Sequence, residues 1–179
     1  MIPSVRYDYH DSFGGYTSPN IGLTYFLTSH SRFKANYGSA YRAPSIDELY
    51  GTFNHMGMFT IYDNPDLKPE KTKGYELSYE HEFSKNTTTK LSYFRSEKED
   101  AINIQSLSTH SSLFGMLTGI LDKIFVNVDS TTNEGFEFEV KHNFCNGITF
   151  IGSYDWLDAK NDESGTKLAY TARNVYTAK

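Results

Sequence analysis

His55 stands apart from the other five histidines because of its neighbours. Tyr50, Phe53, Met56, Met58, Phe59 and Tyr62 all fall within seven residues of it. Rings and thioethers are soft, adaptable contact surfaces, and gathered at a mouth they suit a large planar or macrocyclic ligand. A neutral imidazole among them is also a competent metal ligand. The plainer reading of His55 is a polar loop histidine. His10, His30, His81, His110 and His142 scatter over turns and strand ends. No HxxH or CxxC spacing occurs, so no structural zinc site is expected. Glu76, Glu80 and Glu82 recur on one side of an alternating run, which reads as a solvated face. No phosphate-cradling glycine loop and no nucleophile beside a base stands out. The expectation is a binding protein, not an enzyme, with no resident cofactor.

The elements that must position this stretch alternate with period two, which marks strands. Val5, Tyr7 and Tyr9 share one side; Ile21, Leu23, Tyr25 and Leu27 follow, then Phe33, Ala35 and Tyr37. Tyr75, Leu77, Tyr79, His81 and Phe83 repeat the pattern, as do Leu91 and Tyr93. A descending stretch is expected through Val126 and Val128 and on through Phe136, Phe138, Val140 and Phe144. Ile148, Phe150, Tyr154 and Trp156 rise after it. The opposite sides carry Glu, Lys, Ser, Thr and Asn, which suit no dry core.

Connection lengths then decide the architecture. Long connections are expected at 10–20, 42–73, 97–123 and 158–168, and short ones at 28–31, 84–86 and 145–147. In an up-and-down sheet alternate connections lie at opposite ends. One end therefore carries tight turns and the other long loops, as in outer-membrane barrels. Strand spans of about 9 to 12 residues suit a tilted bilayer crossing. The fold class is all-β: an antiparallel up-and-down transmembrane β-barrel segment, with long external loops and short periplasmic turns. An antiparallel sandwich explains the alternation equally well but the strand length and loop asymmetry less well.

Composition agrees. The 179 residues include 14 Tyr and 13 Phe, yet mean hydropathy is -0.54. That combination suits sheets with one apolar and one polar face. The net charge of -5 disfavours nucleic acid as a partner. No apolar run is long enough for a transmembrane helix, which leaves barrels open. Cys145 is alone, so no internal disulfide is possible. The first residues read as neither a basic nor an apolar leader, and the last open a strand; an internal piece of a longer protein is the expectation.

Two short boxes frame the His55 stretch. Tyr41-Arg42-Ala43-Pro44 ends a strand, because Pro44 cannot continue a ladder. Asn64-Pro65-Asp66-Leu67, then Lys68-Pro69-Glu70, returns the chain to the next strand. Ser45 to Tyr50 is expected to form one helical turn capped by Ser45. Ser111 to Asp122 is unusually apolar for an external loop, and a short helix over the mouth is one reading.

Together these boxes resemble the barrel of TonB-dependent outer-membrane receptors. Phe125-Val126-Asn127-Val128-Asp129, Glu134-Gly135-Phe136-Glu137 and Ser153 to Ala159 resemble later strands of that family. The departures are Tyr41 for Phe, Asp66 for Asn, and no clear Pro-Arg near Thr171-Ala172-Arg173-Asn174. The resemblance implies that residues 1–179 are part of one barrel domain, without its plug and remaining strands. It implies an outer-membrane location in a Gram-negative-type bacterium, contact with outer-membrane lipid, and coupling to the TonB complex through the missing plug. It implies uptake of a scarce large nutrient: an iron chelate (siderophore or haem) or cobalamin. His55 would then ligate iron only if the ligand is haem. Tyr41, Arg42, Ala43, Pro44, Asn64, Pro65, Asp66 and Leu67 are read as rim-fixing residues. His55, Met56, Met58, Tyr50, Phe53 and Tyr62 are the candidate ligand contacts. A soluble or surface β-sandwich binding module and a porin-like diffusion barrel are the alternatives.

Overall fold

The structure is a computed structural model that describes residues 1–128, 130–168 and 171–179. The chain opens with β1 (Ile2–His10), β2 (Gly14–Phe26) and β3 (Ser31–Arg42). The first long connection holds α1 (Ile46–Tyr50), β4 (Phe53–His55) and β5 (Phe59–Tyr62). Then come β6 (Glu70–Ser84) and β7 (Thr87–Glu99). The second long connection holds β8 (Ala101–Ser106), α2 (Leu113–Thr118) and β9 (Lys123–Val128). β10 (Thr131–Asn143), β11 (Thr149–Asn161) and β12 (Asn174–Ala178) complete the chain.

Eight strands form one antiparallel sheet in the order β1-β2-β3-β6-β7-β10-β11-β12. Every hydrogen-bonded neighbour except the pairs β3–β6 and β7–β10 is also the next strand in sequence, and those two enclose the long loops. Register aligns the apolar residues into rows across the sheet. One row runs Tyr25, Phe33, Tyr79, Leu91, Phe138, Tyr154, Tyr176. The next runs Leu23, Ala35, Leu77, Tyr93, Phe136, Trp156. Rings on adjacent strands meet at 4.9 Å (Phe33–Tyr79), 5.1 Å (Tyr93–Phe136) and 5.0 Å (Tyr154–Tyr176). This face is nonetheless open: Leu77 is 53% and Phe136 48% exposed. A continuous apolar face of that size needs lipid or protein against it.

The same face changes character at both ends. Towards the long loops it carries Lys73–Glu99 (3.0 Å) and Arg95–Glu134 (3.2 Å). Towards the tight turns, Phe83 packs edge-on to His81 at 4.4 Å and Phe144 edge-on to His142 at 4.5 Å. Rings with a polar tip suit the bilayer boundary. The opposite face is polar and ion-paired. Glu80 accepts from Arg32 at 2.6 Å and Lys34 at 2.5 Å, and Lys90 lies 3.8 Å from Glu76. Glu76, Glu80 and Glu82 do share that face, but Glu80 is tied to two cations and is not simply solvated.

The sandwich does not hold. It needs apolar side chains buried between two sheets. Among the described residues the buried hydrophobics are Leu49, Leu67 and Ala159, in α1, the return leg and β11.

Three expectations need correction. The connection at 10–20 is tight: Phe13 N–H bonds His10 O at 3.1 Å, Gly14 turns at φ 74°, and β2 begins there. Gly14, Gly15, Ser18 and Pro19 read as loop residues, yet Pro19 sits in β2 opposite Val5. Residues 14–19 pair only with β1, and a strand with one open side tolerates a residue lacking N–H. Second, Val126 and Val128 do not begin the descent. They lie in β9, part of a separate four-stranded sheet ordered β4-β5-β9-β8, and the barrel strand starts at Thr131. Asp129, in the motif above, lies outside the described residues. Third, β1 and β3 keep to the expected 9 to 12 residues, but β2, β7, β10 and β11 have 13 and β6 has 15, because they continue past the apolar band into the charged zone.

The candidate ligand site at the loop rim

The two long connections fold into one body. Their shared sheet joins β5 to β9 in parallel, pairing Ile61 with Lys123 and Tyr62 with Ile124. Asp122, 1% exposed, sits at the junction. Its Oδ1 accepts from the Thr60 N–H at 2.8 Å and the Ser111 hydroxyl at 2.7 Å. Burial pushes this carboxyl up, but those donors outweigh burial and hold it below the ordinary aspartate range. Ser112 Oγ also donates to Met58 O at 2.8 Å. Ser112 caps α2 through the Gly115 N–H, and Gly119 ends it at φ 75°.

The box residues sit at the roots of this body. Arg42 Nε donates to Glu70 at 2.5 Å, and its Nη1 donates to Glu48 at 3.0 Å. Glu48 and Ser45 form a reciprocal capping box, so the expected turn after Pro44 is α1. Burial raises the Glu48 carboxyl, but the Ser45 N–H and the Arg42 guanidinium bring it below its usual value. Glu70 Oε1 accepts from Ile102 N–H at 2.8 Å, tying β6 to β8. Tyr41 stacks on Tyr16 at 4.9 Å. Asn64 is held on three sides: its N–H donates to Glu48 O at 2.9 Å, its Oδ1 accepts from Asp66, and its Nδ2 donates to Phe125 O at 2.9 Å. Leu67 is 2% exposed behind it. Asn127 brackets Lys68, accepting from its N–H at 2.7 Å and donating to its C=O at 2.9 Å.

Of the candidate ligand contacts, the structure brings His55 and Phe53 together and separates the others. Register pairs His55 with Phe59, Phe53 with Ile61, and Ile61 with Lys123, so all five share one face. His55 stacks on Phe59 at 4.9 Å, and Lys123 Nζ lies 4.8 Å from the Phe59 ring centre. His55 and Phe53 are exposed there. Tyr62 belongs to the other face of the sheet, next in sequence to Ile61. Met56 is 89% exposed at the β4–β5 turn, at φ 51°. Met58 is half-buried, with its carbonyl bound by Ser112. Tyr50 projects from the end of α1. Lys123 went unrecognised in the sequence. Only the parallel pairing of distant segments brings it to His55, and no local pattern announces such pairing.

A sheet of long antiparallel strands, apolar on one face and charged on the other, with tight turns at one end and two long folded loops beside the β1–β2 turn at the other, is a section of a transmembrane β-barrel wall. Comparison with known proteins narrows the class. The family described as "TonB dependent receptor-like, beta-barrel" matches residues 1–179, and the chain belongs to it. It therefore lies in the outer membrane of a Gram-negative-type cell. Heme/hemopexin utilization protein C of Haemophilus influenzae (strain 86-028NP) is 26% identical over 96% of this chain and 27% of its own length. The vitamin B12 transporter BtuB of Photobacterium profundum is 31% identical over 88% of this chain and 23% of its own. The crystal structure of the ferric enterobactin receptor PfeA of Pseudomonas aeruginosa, as the G324V mutant, superposes with a TM-score of 0.77 at 24% identity, covering 98% of this chain and 27% of that one. The chain thus spans about a quarter of the length of these relatives.

Proposed function

We propose that this chain supplies wall and rim to a receptor that captures a large iron chelate and admits it by TonB-coupled transport. Haem is the first cargo proposed; a ferric siderophore is the other iron chelate in view, and cobalamin, a cobalt macrocycle, is the further cargo. The observation that carries the reading is the exposed His55–Phe59–Phe53 face, held on a rim built from both long loops. An imidazole on an aromatic face matches a flat macrocycle with a metal at its centre. The names of the relatives, which include haem utilization, vitamin B12 transport and ferric enterobactin reception, support the cargo class. In this reading His55 ligates the iron of the cargo, Phe53 packs on the ring, and Met56 stands at the adjoining turn; Tyr50, on α1, lies apart from that face. Met58 and Tyr62 support the loop, and the box residues 41–44 and 64–67 fix the rim. No chemical transformation is part of it.

Residues 1–179 are proposed as one section of a single barrel, whose plug and other strands come from a longer protein. β1 and β12 do not pair with each other among the described residues, and an open edge in lipid costs several kcal/mol per unpaired group. The plug would be the element on which the TonB complex pulls.

The test is haem binding by the full-length receptor containing this segment, purified in detergent. His55→Ala is expected to shift the Soret band and weaken haem binding at least about tenfold, the scale of a lost charged or metal-linked contact. Binding of a ferric siderophore would be unchanged. An unchanged spectrum and affinity would remove His55 from the site.

A further inference from the structure

We infer that Lys123 is the residue by which this face recognises a carboxylate on its ligand, so that the site selects flat ligands that are anionic at one edge. The inference rests on the porphyrin reading above and adds a specificity determinant to it. Lys123 comes from the second long loop, whereas His55 and Phe59 come from the first. Phe59 lies between them: its ring stacks on the imidazole at 4.9 Å and carries the ammonium at 4.8 Å. Along β5, Phe59 pairs with His55 and Ile61, two residues on, pairs with Lys123. Two residues along a strand are about 6.6 Å. A planar ligand resting on this face would therefore meet a coordinating nitrogen at one side and a cation at the other.

The charge of Lys123 is otherwise unclaimed. Among the described residues it forms no ion pair within 4 Å, although the main sheet pairs Lys34, Lys73, Lys90, Lys98 and Lys160 with carboxylates. It is half-buried beside apolar rings, which weakens its hydration and strengthens its pull on an anion relative to a fully solvated lysine. Ile104 and Phe125 extend the face, since register pairs them across β8 and β9 in phase with Lys123. A neutral macrocycle would gain the rings but not the cation.

The experiment compares iron protoporphyrin IX, its dimethyl ester and metal-free protoporphyrin IX on the full-length receptor in detergent. The variants are Lys123→Gln, Lys123→Arg and His55→Ala. Lys123→Gln is expected to weaken both free-acid porphyrins by about tenfold while leaving the dimethyl ester unchanged. Lys123→Arg should retain most of the free-acid affinity, which also reports that the loop remains folded. His55→Ala should weaken only the iron compounds. Failure of the iron reading leaves the acid–ester difference in place, so the two ideas are separable. An equal loss for acid and ester in Lys123→Gln, no loss for either, or no porphyrin binding by the unaltered receptor would overturn the assignment.

Discussion

At the scale of single residues, Asp122 joins the two loops. It is almost fully buried, its Oδ1 takes two donors from two different loops, and its backbone N–H and C=O bond Thr109 and Leu107. Its folded carboxyl titrates below the unfolded value. The ionised form therefore stabilises the junction above the ordinary carboxylate range, and that contribution fades as pH falls through and below it. Protection factors at Thr60 and around Ser111, with the intrinsic pH dependence of amide exchange divided out, should fall on acidification through that window. Asp122→Asn should show the lower protection already at neutral pH, with little further pH dependence. Equal protection in both proteins at all pH values would sink the idea. Nothing in the sequence around Asp122 marks it, since its partners are remote. Of the residues that singled out His55 in the sequence, Phe53 and Phe59 share its face because they pair within one short hairpin, whereas Tyr50, Met58 and Tyr62 do not. Lys123 was not legible.

At the scale of elements, signals held where structure is local and failed where pairing is remote. Ser45-Ile46-Asp47-Glu48 spells a capping box, and α1 follows it. Ser45→Ala should destabilise this turn by about 1 kcal/mol, read as faster exchange at residues 46–50. The same change would loosen the grip of Glu48 on Arg42 without unfolding β3. β9 illustrates the failure. Its alternation is that of any barrel strand, and period two does not say which sheet a strand joins. β4 and β5 are too short to register as strands within a loop. In β2, turn-forming residue types lay within a strand that has one free side.

At the scale of the whole molecule, the two faces of the main sheet make opposite demands. The outer rows through Leu77 and Leu91 need lipid, and the inner face, where Lys90 reaches Glu76 across two rows, needs polar company. Leu77→Arg should cost about 2–4 kcal/mol if it lies near the bilayer midplane. In the full receptor, the heat-modifiable folded band on an unboiled gel should then decline. Glu76→Lys, on the other face, should leave that band intact. Equal effects would contradict the assignment of faces. This two-faced character was readable from alternation alone; the end that carries the loops was readable from the connection lengths at 42–73 and 97–123, although the connection at 10–20 proved tight.

The stitching of both loops through β5–β9, Asp122 and Asn127 has a mechanical consequence. Two independent fingers would close on a ligand in separate steps, each with its own equilibrium. A rim fused in this way would respond as one piece, so that in the receptor proposed above contact with either loop would recruit the other. Capture would then be all-or-none, and a ligand touching only half the rim would still bear the full cost of ordering it.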